Sequence, residues 1–110
     1  MIPTVPIDIK KTTYKNGVYS ATGDYFSPGG SEQLDVQVTL KDDVITDSKV
    51  VSKASRPNSI KFQGIFIANF KPLVIGKKIE DVHLTKVSGS SLAPQGFNDA
   101  LAKIEVQARA

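Results

Sequence analysis

Three seryl hydroxyls and a glycine, Ser88-Gly89-Ser90-Ser91, stand between a β-branched stretch at 82–87 and an apolar-striped stretch at 94–107. The second stretch is expected to be a helix, which puts the hydroxyls at its entrance. The first N–H groups of a helix have no internal partner and carry partial positive charge. A phosphate seated there takes several hydrogen bonds without requiring a lysine. The serines add donors, and Gly89 lets backbone approach an anion closely. Ser88, Gly89, Ser90, Ser91 and the adjoining Leu92 are therefore the candidate anion-binding residues. The same serines have a plainer use as helix caps.

No set of side chains suggests catalysis by the protein alone. The serine run lacks the glycine framing of a hydrolase nucleophile, and no lysine precedes a serine as a Walker loop requires. His83 is the single histidine and reads as a structural or exposed residue. Neither Asp42-Asp43 nor Glu80-Asp81 matches a calcium loop or a zinc set. No catalytic and no metal-ligating residue is assigned. Tyr19, Tyr25 and Phe26 carry rings able to stack on a planar ligand, and equally able simply to pack.

Composition narrows the classes further. The chain has 110 residues, 14 Lys and Arg against 11 Asp and Glu, and no cysteine, which suits one domain with one modest core. The basic residues are scattered, without the aromatic interleaving of a nucleic-acid surface. Lack of cysteine excludes disulfides and thiolate sites and leaves the chain indifferent to redox compartment. No apolar run nears membrane-spanning length. Pro3 and Pro6 give residues 1–14 the character of an extended linker. Such a segment suits a domain belonging to a longer exported or membrane-tethered protein, and also an ordinary terminus.

The candidate residues need a frame, and residue periodicity supplies one. Residues 18–25 read as a strand, reversed at Ser27-Pro28-Gly29-Gly30. Leu34, Val36, Val38 and Leu40 alternate with polar residues, the mark of a half-buried strand. Asp42-Asp43 is a two-residue hairpin turn, and 44–52 returns as a third strand. Phe62, Phe66 and Phe70, with Ile65 and Leu73 on the same side, predict a helix covering the sheet. Pro72 should end or kink it, and Gly76 suits a left-handed stop. Residues 82–87 read as a fourth strand. The last helix buries Phe97, Ala100, Leu101, Ile104 and Ala108. The expected class is α+β: a small antiparallel sheet, a three-strand meander plus a fourth strand, covered by two helices.

The order of four segments carries a resemblance. They are Asn16-Gly17-Val18-Tyr19-Ser20-Ala21-Thr22-Gly23, Val38-Thr39-Leu40-Lys41-Asp42-Asp43-Val44-Ile45-Thr46, Val74-Ile75-Gly76-Lys77 and Val87-Ser88-Gly89-Ser90-Ser91. Over roughly 15–108 the chain resembles the FMN-binding domain family of membrane redox-complex subunits and small extracytoplasmic flavoproteins. That family's hallmark is Ser/Thr-Gly-Ala-Thr, with Asp three residues before the first hydroxyl. Its last threonine can be esterified to FMN phosphate by a flavin transferase. Ser88 and Gly89 match; Ser90 replaces the alanine, Ser91 replaces the acceptor threonine, and Thr85 replaces the aspartate. The resemblance implies an FMN cofactor with its phosphate at Ser88, Gly89, Ser90, Ser91 and Leu92, and electron transfer with a redox partner protein or membrane-associated complex. It implies an extracytoplasmic or membrane-tethered setting. The departures at Thr85 and Ser90 favour free FMN over a phosphoester on Ser91. The alternative is a cofactor-free extracellular binding or structural module of the same fold.

Overall fold

A computed structural model describes residues 14–87 and 92–109. Ser88, Gly89, Ser90 and Ser91, and residues 1–13 of the segment read as a linker over 1–14, lie outside the described residues. Strands β1 (Gly17–Ser27), β2 (Gly30–Lys41) and β3 (Val44–Ser52) form an antiparallel meander in that order. The period-two pattern of β2 sets the register. Leu34, Val36, Val38 and Leu40 are at most 2 % exposed; Gly23, Ala21 and Tyr19 stand opposite the first three on β1. Thr39 pairs with Asp47 but Leu40 with Ile45, so Thr46 is an extra, bulged residue that turns Ile45 into the core.

The β2–β3 turn is made by two aspartates, both left-handed, with φ of 52° at Asp42 and 69° at Asp43. Asparagine or glycine is usual in such a turn, and aspartate tolerates it through local polar contacts. Here Asp42 N–H donates to Asn16 Oδ1 at 2.9 Å, and Tyr14 N–H donates to Asp43 Oδ1 at 2.7 Å. The turn thereby holds the chain entering β1. Tyr14 itself is buried, and its hydroxyl, pushed up to about 12 by burial and by Glu105, donates to Glu105 on the last helix.

Helix α1 (Pro57–Asn69) buries Ser59, Gln63 and Phe66. The buried line continues through Phe70 into Val74 on the short helix α2 (Lys71–Val74). The expected line through Phe62, Ile65 and Leu73 is thus rotated: Phe62 and Leu73 are 42 % and 41 % exposed. Polar groups beneath α1 account for the rotation, because Glu32 and the Tyr25 hydroxyl need partners that Ser59 and Gln63 supply. Pro72 breaks the helix where its missing N–H predicts, and Gly76 takes the left-handed stop at φ 87°.

The expected fourth strand at 82–87 is a correction. The sheet has three strands among the described residues. A 3-10 turn, Ile79–Asp81, leads into an irregular extended segment. Leu84 satisfies its backbone without a neighbouring strand, since the Asn98 side-chain amide accepts from its N–H at 2.9 Å and donates to its C=O at 2.7 Å.

Helix α3 (Ala93–Ala108) buries the expected Phe97, Ala100, Leu101, Ile104 and Ala108. Phe97 meets Phe66 and Phe70 with ring centroids 5.5 and 5.4 Å apart, joining α3 to α1. The helix also lies close along β1. A side chain at Gly23 would place its Cβ 1.8 Å from the Gly96 carbonyl oxygen, so the crossing needs glycine. Asp99, Lys103 and Gln107, one turn apart, reach the outer margin of β1. Asp99 accepts from Asp24 N–H, Lys103 donates to Thr22 C=O, and Gln107 donates to Ser20 C=O.

Candidate functional site

A cleft of about 540 Å³ opens where three distant segments converge. Ser27, Pro28 and Gly29 of the β1–β2 turn form one wall. Arg56, Pro57, Asn58 and Ser59 at the start of α1, with Phe62 one turn further, form the second. Leu92 and Ala93 at the start of α3 form the third, and Tyr25 also lines the cleft. Its size falls within the range of about 300–1,000 Å³ usual for small-molecule sites. The lining is chiefly apolar, with polar side chains at Ser27 and, at the start of α1, at Arg56, Asn58 and Ser59.

One guanidinium fixes the turn wall to α1. Arg56 donates through Nε to Glu32 Oε2 at 2.8 Å and through Nη2 to the Ser31 carbonyl at 2.7 Å, and it also reaches the Gly29 carbonyl. Nη2 lies 2.7 Å from the same Glu32 oxygen. Ser59 Oγ donates to that oxygen as well, at 2.5 Å. The Ser59 hydrogen bond, and then Arg56, hold the Glu32 carboxyl below its usual range against the opposing effect of burial.

A depressed folded-state pKa stabilises fully above the ordinary value of 4.5 and is lost as pH falls through the folded value. Asp24 has the same sign, through hydrogen bonds from Lys103 and then Gln33. Urea unfolding followed from pH 7 down to pH 2 should therefore show stability declining from about 4.5 downward. Glu32→Gln should be less stable at pH 7 and lose less on acidification. An acid limb as steep as that of the parent protein would show that Glu32 has no part in it.

Gln63, fully buried, braces the floor. Its Nε2 donates to Tyr25 Oη at 2.8 Å and to the Gln33 carbonyl at 3.0 Å, while its Oε1 accepts from Ser52 Oγ at 2.6 Å. Burial raises the Tyr25 pKa more than the Gln63 hydrogen bond lowers it. The group is a phenol at neutral pH.

Both helices facing the cleft begin alike. Arg56 caps α1 and Leu92 caps α3 without a side-chain hydrogen bond, and neither first turn contains an acidic residue. At α1 the Glu32 carboxylate already lies against Arg56 and Ser59; the start of α3 has no acidic residue in its first turn, and the partial positive charge there favours an anionic group nearby. The residues present thus fit a planar ligand bearing a phosphate: the Phe62 ring and the buried Tyr25 phenol line the cleft, and the start of α3 opens onto it.

Of the residues singled out from sequence, Leu92 is half-buried and lines the cleft as the cap of α3. Ser88, Gly89, Ser90 and Ser91 lie outside the described residues. Tyr25 is in the cleft; Tyr19 instead donates its hydroxyl to the Lys15 carbonyl, and Phe26 is 76 % exposed. His83 and Thr85 are exposed. Among the described residues no three His, Asp or Glu gather as a metal site, and no helix is long and apolar enough to cross a membrane. Sequence reasoning missed Arg56, Asn58, Ser59 and Gln63. Only the spacing of Ser59 and Gln63, which extends the Phe66-Phe70 line backward by helical turns, marks them as inward-facing.

Comparison with protein-family models, with curated proteins and with solved structures finds no match to this chain.

Proposed function

We propose that the chain is an FMN-binding domain, with the flavin phosphate held at the start of α3 and the ring in the adjoining cleft. The observation that carries this reading is the position of Leu92 and Ala93. They bring the start of α3, just after the serine-rich motif, to a ligand-sized cleft with aromatic walls. In this reading Ser88, Gly89, Ser90, Ser91 and Leu92 bind the phosphate, Tyr25 and Phe62 flank the ring, and the Arg56–Glu32 pair keeps the wall in place. When bound, the flavin supplies the electron-transfer chemistry, and the chain binds, orients and shields it. The electrons pass to or from a redox partner protein or a membrane-associated complex, in an extracytoplasmic or membrane-tethered setting.

The test is intact mass and visible absorption of protein produced with and without a co-expressed flavin transferase. The expected result is yellow protein whose colour is lost on denaturation and ultrafiltration, marking free FMN. A mass gain of FMN less one water, abolished by Ser91→Ala, would instead mark a phosphoester on Ser91. Colourless protein that leaves FMN fluorescence unquenched would overturn the proposal in favour of a cofactor-free module.

A further inference from the structure

We infer that the Tyr25 hydroxyl donates a hydrogen bond to a carbonyl oxygen of the ring bound in the cleft, and so selects among planar ligands. This rests on the flavin reading above. Tyr25 is only 6 % exposed, yet lines the cleft. Buried polar hydrogens seldom go without an acceptor.

The direction of the bond follows from Gln63. Flipping its amide would face its oxygen toward the Gln33 carbonyl and set two acceptors against each other. The amide is therefore fixed with its nitrogen toward Tyr25, and the phenolic oxygen is an acceptor in that contact. The phenolic hydrogen must be spent elsewhere. Among the described residues the hydroxyl donates to no acceptor; its contact is the bond it accepts from Gln63 Nε2. Burial keeps the hydroxyl protonated, so it remains a donor.

The ring carrying the hydroxyl is held in place before any ligand arrives. A Cβ at Gly96 would stand 2.6 Å from Tyr25 Cδ1 and 3.3 Å from Cε1. The phenol thus lies directly on the backbone of α3, braced at its hydroxyl by Gln63. A donor fixed in this way discriminates by acceptor position, because it cannot follow a displaced one.

The test is fluorescence-quenching titration of the full chain and its Tyr25→Phe variant with FMN and with 2-thio-FMN and 4-thio-FMN. Sulfur is a weak acceptor, so each analogue weakens one carbonyl position. Tyr25→Phe should bind FMN about three- to tenfold more weakly, the value of one neutral hydrogen bond. The parent protein should bind one analogue more weakly than FMN, and that difference should vanish in the variant. Equal FMN affinity in the two proteins would overturn the inference. So would an analogue penalty of the same size in both. Should the variant not fold, equal affinity of the parent protein for all three ligands would overturn it as well. A parent protein that binds FMN at no measurable affinity defeats the flavin reading itself, which is a separate and distinguishable result.

Discussion

Gly23→Ala is expected to destabilise the domain by about 3 kcal/mol or more, at the upper end of overpacking effects. The new Cβ would stand 1.8 Å from the Gly96 carbonyl oxygen and 2.7 Å from its carbonyl carbon. Both are helix backbone, so no rotamer change relieves the clash. Relief requires α3 to lift from β1, which would also loosen Ala100, whose Cβ lies 3.1 Å from the same point. Small domains are stable by about 5–15 kcal/mol, so the loss is a large share of the whole. Each 1 kcal/mol lowers the melting temperature by about 4–8 °C at this size. Thermal unfolding followed by circular dichroism measures it, and a melting temperature within a few degrees of the parent's would contradict the close crossing.

Phe97→Ala removes the ring that ties the two covering helices together and should cost about 3–5 kcal/mol. Phe97 is fully buried, and its ring meets Phe66 and Phe70, which stack on each other at 5.2 Å. Truncation leaves a void against two rings that cannot both move in, because each is anchored on α1 or at its end. The cleft lies between the starts of α1 and α3, so on the proposed FMN reading flavin affinity should fall together with stability. Urea titration gives the first quantity and FMN quenching the second. A variant with the parent's urea midpoint would show that the helices are held together elsewhere.

How far the fold was legible depends on whether a segment's partners lay nearby. The β2 alternation and the apolar line on α3 are local patterns, and both elements formed as read. Asp42-Asp43 was recognisable as a turn from its place between two strands. Residues 82–87 misled because their β-branched composition suits any extended chain, whereas strand pairing depends on a neighbour; Asn98 took that place. Phe62 misled for a related reason. Its spacing fits the buried line, but the groups under α1 are polar, and Ser59 and Gln63 answer them. The cleft was the least legible feature, since its walls come from Ser27 to Gly29, from Arg56 to Phe62, and from Leu92. Only folding brings them together.

The line of Asp99, Lys103 and Gln107 along β1 has a bearing on self-assembly. An unpaired strand margin normally offers its peptide groups to any passing chain, and here three side chains have already taken the Ser20 and Thr22 carbonyls and the Asp24 N–H. On the opposite side, Ile45 exchanges hydrogen bonds with Gly76 and Lys77, leaving the later part of β3 for any added strand. A strand added at β1 would have to displace the three side chains, which disfavours growth of the sheet from copy to copy on that flank.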